Sequence, residues 1–143
     1  MTIEEVVRSV ENRLMDLGHR LFTADAGEQL QDTVDSVRRE LAVRRAELQR
    51  LEAERDAVRE RLQASESVVA LLPSSIQSSF RRGKASQAWR QALELDRARR
   101  TLAENRRALP RLDQVCWSLG FLVRQLERHL RRLQGHSVEY ARR

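Results

Sequence analysis

Apolar residues recur along this chain in alternating steps of three and four positions, the spacing of the packed seam of a coiled coil. The pattern begins close to the N-terminus, where Thr2 and Glu5 have the spacing of a capping box. A first helix is therefore predicted over about residues 3–22. Its apolar positions are Ile3, Val7, Val10, Leu14, Leu17 and Leu21.

The second predicted helix, over about residues 26–72, carries the longest run of this pattern. Asp25 and Glu28 form another capping box at its start. Pro73 ends it, because the residue before a proline is disfavoured in helical geometry. The link to the first helix is short, so these two helices are expected to be antiparallel neighbours. The seam positions are Leu30, Val34, Val37, Leu41, Arg44, Leu48, Leu51, Arg55, Val58, Leu62, Ser65, Val69 and Leu72.

The third predicted helix spans about residues 86–134 and follows a turn over about residues 73–85. Pro110 lies inside it, but the seam continues through the proline in phase, which favours one kinked helix over two helices. Gly135 is placed as its C-terminal stop, which leaves a tail over residues 135–143. The seam positions are Ala88, Gln91, Leu95, Ala98, Leu102, Asn105, Leu109, Leu112, Cys116, Leu119, Val123, Leu126, Leu130 and Leu133.

These patterns predict an all-α fold: an antiparallel coiled-coil hairpin of two long helices, with the shorter first helix packed at its base. Residues whose numbers sum to 160 are expected to face each other, which places the polar seam residues Arg55 and Asn105 opposite one another. Polar seam residues fix the register of a coiled coil at a cost in stability. Flanking charges agree in part, with Glu52 near Arg106, but a slip of one heptad agrees with them about equally well.

The hairpin is expected to be thin near the turn and thick at its base. Small seam residues such as Ala88 lie near the turn, whereas residues 115–123, VCWSLGFLV, are apolar on more than one face. Covering that base with the first helix gives a three-helix bundle extended by a two-helix arm. Trp89 and Trp117 are interpreted as structural, and as contact candidates only if they are exposed. A two-helix arm with polar seam positions is marginal alone, so a homodimer is expected.

Residue types that carry enzyme chemistry are sparse. His19, His129 and His136 lack the i, i+4 spacing of a helical zinc site, and Cys116, the single cysteine, lies at a seam position where a core thiol is expected. There is no glycine-rich phosphate loop. No catalytic residue, cofactor, metal or small-molecule substrate is therefore predicted. The acidic start of the chain and the lack of a long apolar run predict a cytoplasmic protein without a membrane span.

Charge is distributed unevenly between the two halves of the chain. Residues 1–72 hold 11 Arg against 15 Asp and Glu, whereas residues 73–143 hold 16 Arg and Lys against 6 acids. Halves of opposite sign suit folding against each other, and the positive excess can attract nucleic acid or another polyanion. The preference for Arg, 26 of the 27 basic residues, is explained by a GC-rich genome more than by a binding role.

Two basic features are candidate binding sites. The predicted turn contains an apolar pair, Ile76 and Phe80, followed by Arg81, Arg82 and Lys84. This segment is either a docking tip or only a capped bend. The third helix carries an arginine stripe on the face away from the second helix, which is either a polyanion site, a dimer contact or a solvated surface. The arginine stripe comprises Arg90, Arg97, Arg100, Arg107, Arg111, Arg128 and Arg132.

The functional prediction is a non-enzymatic coiled-coil interaction protein, an adaptor, assembly component or stalk. It is expected to self-associate as a homodimer, to bind another protein, or both. The alternative is a helical module that binds nucleic acid or another polyanion through the arginine stripe and the basic turn. Steep weakening by salt would indicate the alternative. Dependence on exposed apolar side chains would indicate a protein partner.

Overall fold

The computed structural model describes residues 27–142, with side chains from Leu30 to His136, together with the isolated helical residues Arg8 and Asn12. The predicted first helix over residues 3–22 and its packing at the base otherwise lie outside the described residues. Two long helices form the rest: α1 spans Gly27–Arg81 and α2 spans Ala85–Arg142. They pack against each other, and no strand occurs in residues 27–142. The predicted all-α helical hairpin is confirmed for this part of the chain.

Contacts divide the hairpin into two units, and each helix contributes to both. The first unit combines α1 up to Leu51 with α2 from Gln114, and the second comprises Glu52–Asp113. The first is called the aliphatic unit, after its core, and the second is called the turn unit, because it contains the connection between the helices.

The aliphatic unit has a core of hydrocarbon side chains from both helices. Leu126 and Leu133 are each 2% exposed and Val37 is fully buried. Complete burial of such a side chain stabilises a fold by about 1.5–3 kcal/mol. The cluster comprises Leu30, Val34, Val37, Leu41, Val123, Leu126 and Leu133, with Leu48 and Leu130 packed against it.

Arg44 occupies a seam position in the aliphatic unit and is held there by two carboxylates of its own helix. Its Nε donates a hydrogen bond to Glu40 Oε1 at 3.0 Å, and its Nη1 donates one to Glu47 Oε2 at 3.0 Å. The Arg44 side chain is 12% exposed. A charge this deeply placed is tolerated because its donors are matched by acceptors of opposite charge.

The turn unit has a core of smaller and more polar side chains. Ser79 Oγ donates a hydrogen bond across the hairpin to Gln91 Oε1 at 3.0 Å, which satisfies one of the polar members. The expected small seam residue near the turn is confirmed at Ala88, which is 5% exposed. The buried members are Val58, Ser65, Ser79, Ala88, Leu95, Leu102 and Asn105.

The connection between the helices is shorter than predicted, three residues instead of the segment 73–85. α1 ends in a Schellman motif: Lys84 N donates to Ser79 O at 2.9 Å and Gly83 N donates to Phe80 O at 3.1 Å. Gly83 has φ of 75°, a left-handed conformation that glycine adopts without steric cost. α2 starts at once, with Ala88 N donating to Lys84 O at 3.0 Å.

Neither proline ends a helix. α1 continues through Pro73, which corrects the predicted end at residue 72, and α2 continues through Pro110 as the single predicted helix. Beyond Pro73 the seam continues at Ile76, which is half-buried, and at Ser79, which is buried. This packing offsets the missing backbone donor of the proline. α2 also continues past Gly135 and ends at Arg142. The predicted helix end at Gly135 is therefore wrong, and residues 135–142 of the predicted tail are helical.

The moved turn changes the register of the hairpin. A turn centred on Gly83 places residues whose numbers sum to about 167 opposite each other, one heptad from the prediction. Ion pairs shift in the same sense: Arg106 Nη2 lies 3.7 Å from Glu66 Oε1 and not beside Glu52.

Arg55 and Asn105, which were expected to pair, lie in different surroundings. Arg55 Nε lies 3.3 Å from Asp56 Oδ1 and 4.0 Å from Asp113 Oδ1. Asn105 is 8% exposed, and its Nδ2 is buried with no hydrogen-bond partner. The slipped register separates the two residues along the hairpin, so they do not set it as a matched pair.

Candidate interaction surface

The basic turn is an exposed cluster, but only part of the predicted apolar anchor belongs to it. Phe80 is 72% exposed, and Arg81, Arg82 and Lys84 are also exposed. Ile76 instead faces the seam of the turn unit and is half-buried. Of the pair, only Phe80 is exposed beside the basic residues, because α1 extends to Arg81 and Ile76 lies at a half-buried position within it.

All seven members of the arginine stripe are exposed. Arg90, Arg97, Arg100, Arg107 and Arg111 belong to the turn unit, whereas Arg128 and Arg132 belong to the aliphatic unit. Arg100 Nη2 pairs with Asp96 Oδ2 at 3.0 Å, and the other six have no ion-pair partner in the part of the chain that the structure describes. The prediction that these side chains point away from α1 agrees with their exposure.

Both tryptophans are exposed, so their interpretation as structural residues is wrong. Trp89 is 67% exposed in the turn unit and Trp117 is 69% exposed in the aliphatic unit. Each lies one residue after a buried seam position, Ala88 or Cys116, which turns its side chain away from the opposite helix. Each is followed four residues later by another exposed apolar residue, Leu93 or Phe121.

Trp117 and Phe121 form a ring pair on the surface. Their ring centroids lie 6.1 Å apart and the planes differ by 13°. Within the segment 115–123, Cys116, Leu119, Leu122 and Val123 are buried, so the segment is core on one side and exposed aromatic surface on the other. The sequence contained the signal for this exposure, because 117 and 121 fall outside the seam of the same heptad pattern that identified Cys116 and Leu119.

The same face of α2 continues from the ring pair into arginines. At about 100° per residue, these side chains project within an arc of about 100° around the helix. All are exposed and no carboxylate lies among them. This surface is called the aromatic–arginine face, and it comprises Trp117, Phe121, Arg124, Arg128, Arg131 and Arg132.

One histidine and the cysteine among the described residues have buried polar atoms or a buried side chain. His129 Nε2 is buried without a hydrogen-bond partner, and burial together with the neighbouring Arg132 charge lowers the pKa of this imidazole below 6.5. Cys116 is buried and forms no disulfide. Among the described residues, no group of three His, Cys, Asp or Glu side chains has a geometry that could hold a metal ion. No helix in the same part of the chain is long and apolar enough to span a bilayer.

The geometry thus defines an all-helical hairpin with an aromatic and basic outer surface on α2. Comparison with family models, with curated proteins and with solved structures finds no significant match for this chain.

Proposed function

We propose that this chain is a non-enzymatic interaction protein, an adaptor or assembly component of the cytoplasm, in which α2 is displayed to another polypeptide. The binding partner is a second copy of the chain, another protein, or both. The observation that carries the proposal is the exposure of Trp89 and Trp117 on a hairpin whose seam residues are buried or half-buried.

Exposed aromatic side chains support a contact with protein more than a solvated surface. Large apolar side chains are usually buried, and their clustered exposure marks interaction sites. Trp and Arg are the residue types most enriched among those that dominate binding energy, whereas Lys is depleted at interfaces. The face around Trp117 combines Trp, Phe and Arg, and the only lysine of the chain, Lys84, lies in the turn.

Site-specific photo-crosslinking in the native host tests the proposal. A benzophenone amino acid replaces Trp117 or Trp89 in separate variants, and exposed Gln63 on α1 is the matched control position. The expected result is a protease-sensitive adduct of discrete mass at 117, at 89 or at both, with none at 63. An adduct of twice the chain mass identifies self-association.

A second substitution tests whether the crosslink at 117 depends on the neighbouring aromatic ring. The adduct at 117 is expected to disappear when Phe121→Ser removes the neighbouring ring, while the fold, followed by far-ultraviolet circular dichroism, is kept. The proposal fails if neither position gives a polypeptide adduct, or if adducts at 63 are as strong.

Polyanion binding is the second candidate, and the unpaired guanidinium groups of the arginine stripe favour it. Six of its seven members have no ion-pair partner among the described residues. Anisotropy of a fluorescent DNA duplex at about 50 and 200 mM salt measures this activity. Binding that falls by orders of magnitude at the higher salt, and with Arg97→Gln and Arg107→Gln, supports it. Lack of binding at the lower salt excludes it.

A further inference from the structure

We propose that the aromatic–arginine face of α2 binds an acidic amphipathic helix of another protein. This inference rests on the proposed function and names the chemistry of its partner. The proposed partner has two properties. The ring pair requires an apolar stripe on it, and the four arginines require acidic groups beside that stripe.

The ring pair requires an apolar surface on the partner. Trp117 and Phe121 are 69% and 45% exposed, and their nearly parallel rings form one apolar block rather than two isolated side chains. Because they are four residues apart on a helix, the block extends along the helix axis by about 6 Å. An apolar stripe with i, i+3 and i+4 spacing on a second helix matches a block of this kind.

The arginines require acidic groups next to that stripe. Arg124 and Arg128 follow Phe121 at three and seven residues, so the positive charge begins about one turn beyond the ring pair. The nearest carboxylate along α2, Glu127, already accepts a hydrogen bond from Arg45 Nη2 at 2.9 Å. Among the residues whose side chains the structure describes, no carboxylate compensates the positive charge of this face. Complementary charge on a partner gives both faster encounter and selectivity.

A second copy of the chain is a poor occupant for the same reason. A two-fold dimer contact brings a surface against itself. Here that contact would gather eight arginines from two faces with no carboxylate among them, and like charges brought together oppose association.

Nucleic acid and membranes fit this face less well than an acidic helix. Bases that stack on a protein need free aromatic faces, and here the two rings are turned toward each other. A helix that lies on a bilayer separates its apolar and cationic residues on opposite faces, whereas here they share one face. Both ligands serve as comparisons in the test.

The test uses the whole chain and a synthetic peptide as the probe. The peptide is a fluorescein-labelled helix with leucine at the a and d positions of three heptads and glutamate at most others. A second peptide of identical composition has its leucines scrambled, so that it keeps the charge and loses the apolar stripe. Anisotropy at about 150 mM salt gives the two dissociation constants.

Three sets of variants locate the binding surface. Trp117→Ser with Phe121→Ser removes the ring pair, and Arg124→Gln with Arg128→Gln removes two charges of the face. Arg38→Gln with Arg39→Gln removes two exposed charges of α1 in the same unit and is the matched control. The expected result is saturable binding of the amphipathic peptide. We expect about a tenfold weakening or more with either set on the face, and less than about twofold with the control.

Several results overturn the inference. Equal affinity for the scrambled peptide means plain charge attraction, and no binding of either peptide means that an acidic helix is not the occupant. Tighter binding of single-stranded DNA, or of phosphatidylserine-containing vesicles, assigns the face to that ligand. A polypeptide crosslink at 117 together with any of these results leaves the proposed function intact and rejects only this partner. Absence of polypeptide crosslinks at both 117 and 89 rejects the function itself.

Discussion

At the scale of single residues, the turn unit contains an amide that the fold does not satisfy. Asn105 is buried, and its Nδ2 lacks a hydrogen-bond partner. Burial of a polar group without a partner costs about 1–3 kcal/mol. Polar seam residues are retained in coiled coils where they restrict register or partner choice. Asn105 has that position without the matched partner that the sequence suggested.

Replacing this amide with an aliphatic side chain should stabilise the protein. Asn105→Leu is expected to raise the free energy of unfolding by about 1–3 kcal/mol, because the desolvated amide is lost and apolar area is buried. Urea unfolding followed by circular dichroism at 222 nm measures the change. Gln63→Leu, at an exposed position of α1, is the control and should change the value by less than about 0.5 kcal/mol. Destabilisation by Asn105→Leu would indicate that Nδ2 has a partner in solution.

His129 is expected to make stability depend on pH. Burial and the charge of Arg132 lower the pKa of His129 in the folded state, so the folded state binds the proton less readily than the unfolded state does. Its contribution is therefore present above pH 6.5 and is lost as the pH falls from 6.5 through the lowered folded pKa. His129→Gln should reduce the loss of stability between pH 7.5 and pH 5 in urea titrations. An unchanged loss of stability in His129→Gln would contradict the assignment.

At the scale of elements, the three-residue connection is specified by one backbone conformation. The left-handed conformation of Gly83 lets two backbone N–H groups reach the last carbonyls of α1. The N–H of Gly83 donates to Phe80 O, and the N–H of Lys84 donates to Ser79 O. A Cβ added there would meet nothing within 4 Å, so the need for glycine comes from its φ of 75° and not from crowding. A Cβ added at Gly120 would also meet nothing within 4 Å, but Gly120 lies inside α2, where glycine has no such role.

The two glycines should therefore respond to alanine with opposite signs. Gly83→Ala is expected to lower the free energy of unfolding by about 1–2 kcal/mol, because an L-residue is strained in the left-handed region. Gly120→Ala should raise it by about 0.5–1 kcal/mol, because alanine is the better helix former. Thermal and urea unfolding of the two variants measure both changes. A gain in stability from Gly83→Ala would mean that the turn adopts another conformation.

At the scale of the whole molecule, the register decides which residues of α1 and α2 meet. The structure places the turn between the two helices at Gly83. Contacts such as that between Arg59 and Asp113, at 3.0 Å, follow this register. A hairpin whose two helices come from different chains can have the same register. The register and the question of whether one chain supplies both helices therefore need separate measurements.

Paired cysteines in a Cys116→Ala background separate the alternatives. Cysteines at Ser65 and Leu102, which are both buried and face each other in a hairpin that turns at Gly83, should form a disulfide within one chain on mild oxidation. Cysteines at Leu62 and Ala98, which face each other in the register predicted from the sequence, should not. Non-reducing gels and peptide mass spectrometry read the result. Preferential oxidation of the 62–98 pair would restore the sequence-based register, and dimers alone would indicate exchange between chains.

The sequence predicted the two long helices and most of their seam, but not the position of the turn or the exposure of the two tryptophans. Heptad spacing identified Leu41, Leu102 and Leu126 correctly because the burial of one helix face imposes that period. The turn was misplaced because Pro73 was weighed above the seam that continues at Ile76 and Ser79. Trp117 was assigned to the core because its segment is apolar overall, although its heptad position already placed it outside the seam.

The exposure of both tryptophans has a spectroscopic consequence. Indole emission shifts to longer wavelength in water, and the chain contains only Trp89 and Trp117 as indole sources. The folded protein should therefore emit nearly as red as the unfolded chain, and intrinsic fluorescence should report its unfolding poorly. If another molecule binds over either indole ring and removes it from water, the emission should instead shift to shorter wavelength. The fluorescence of the two tryptophans should thus report binding at the surface of α2 and hardly at all the unfolding of the core.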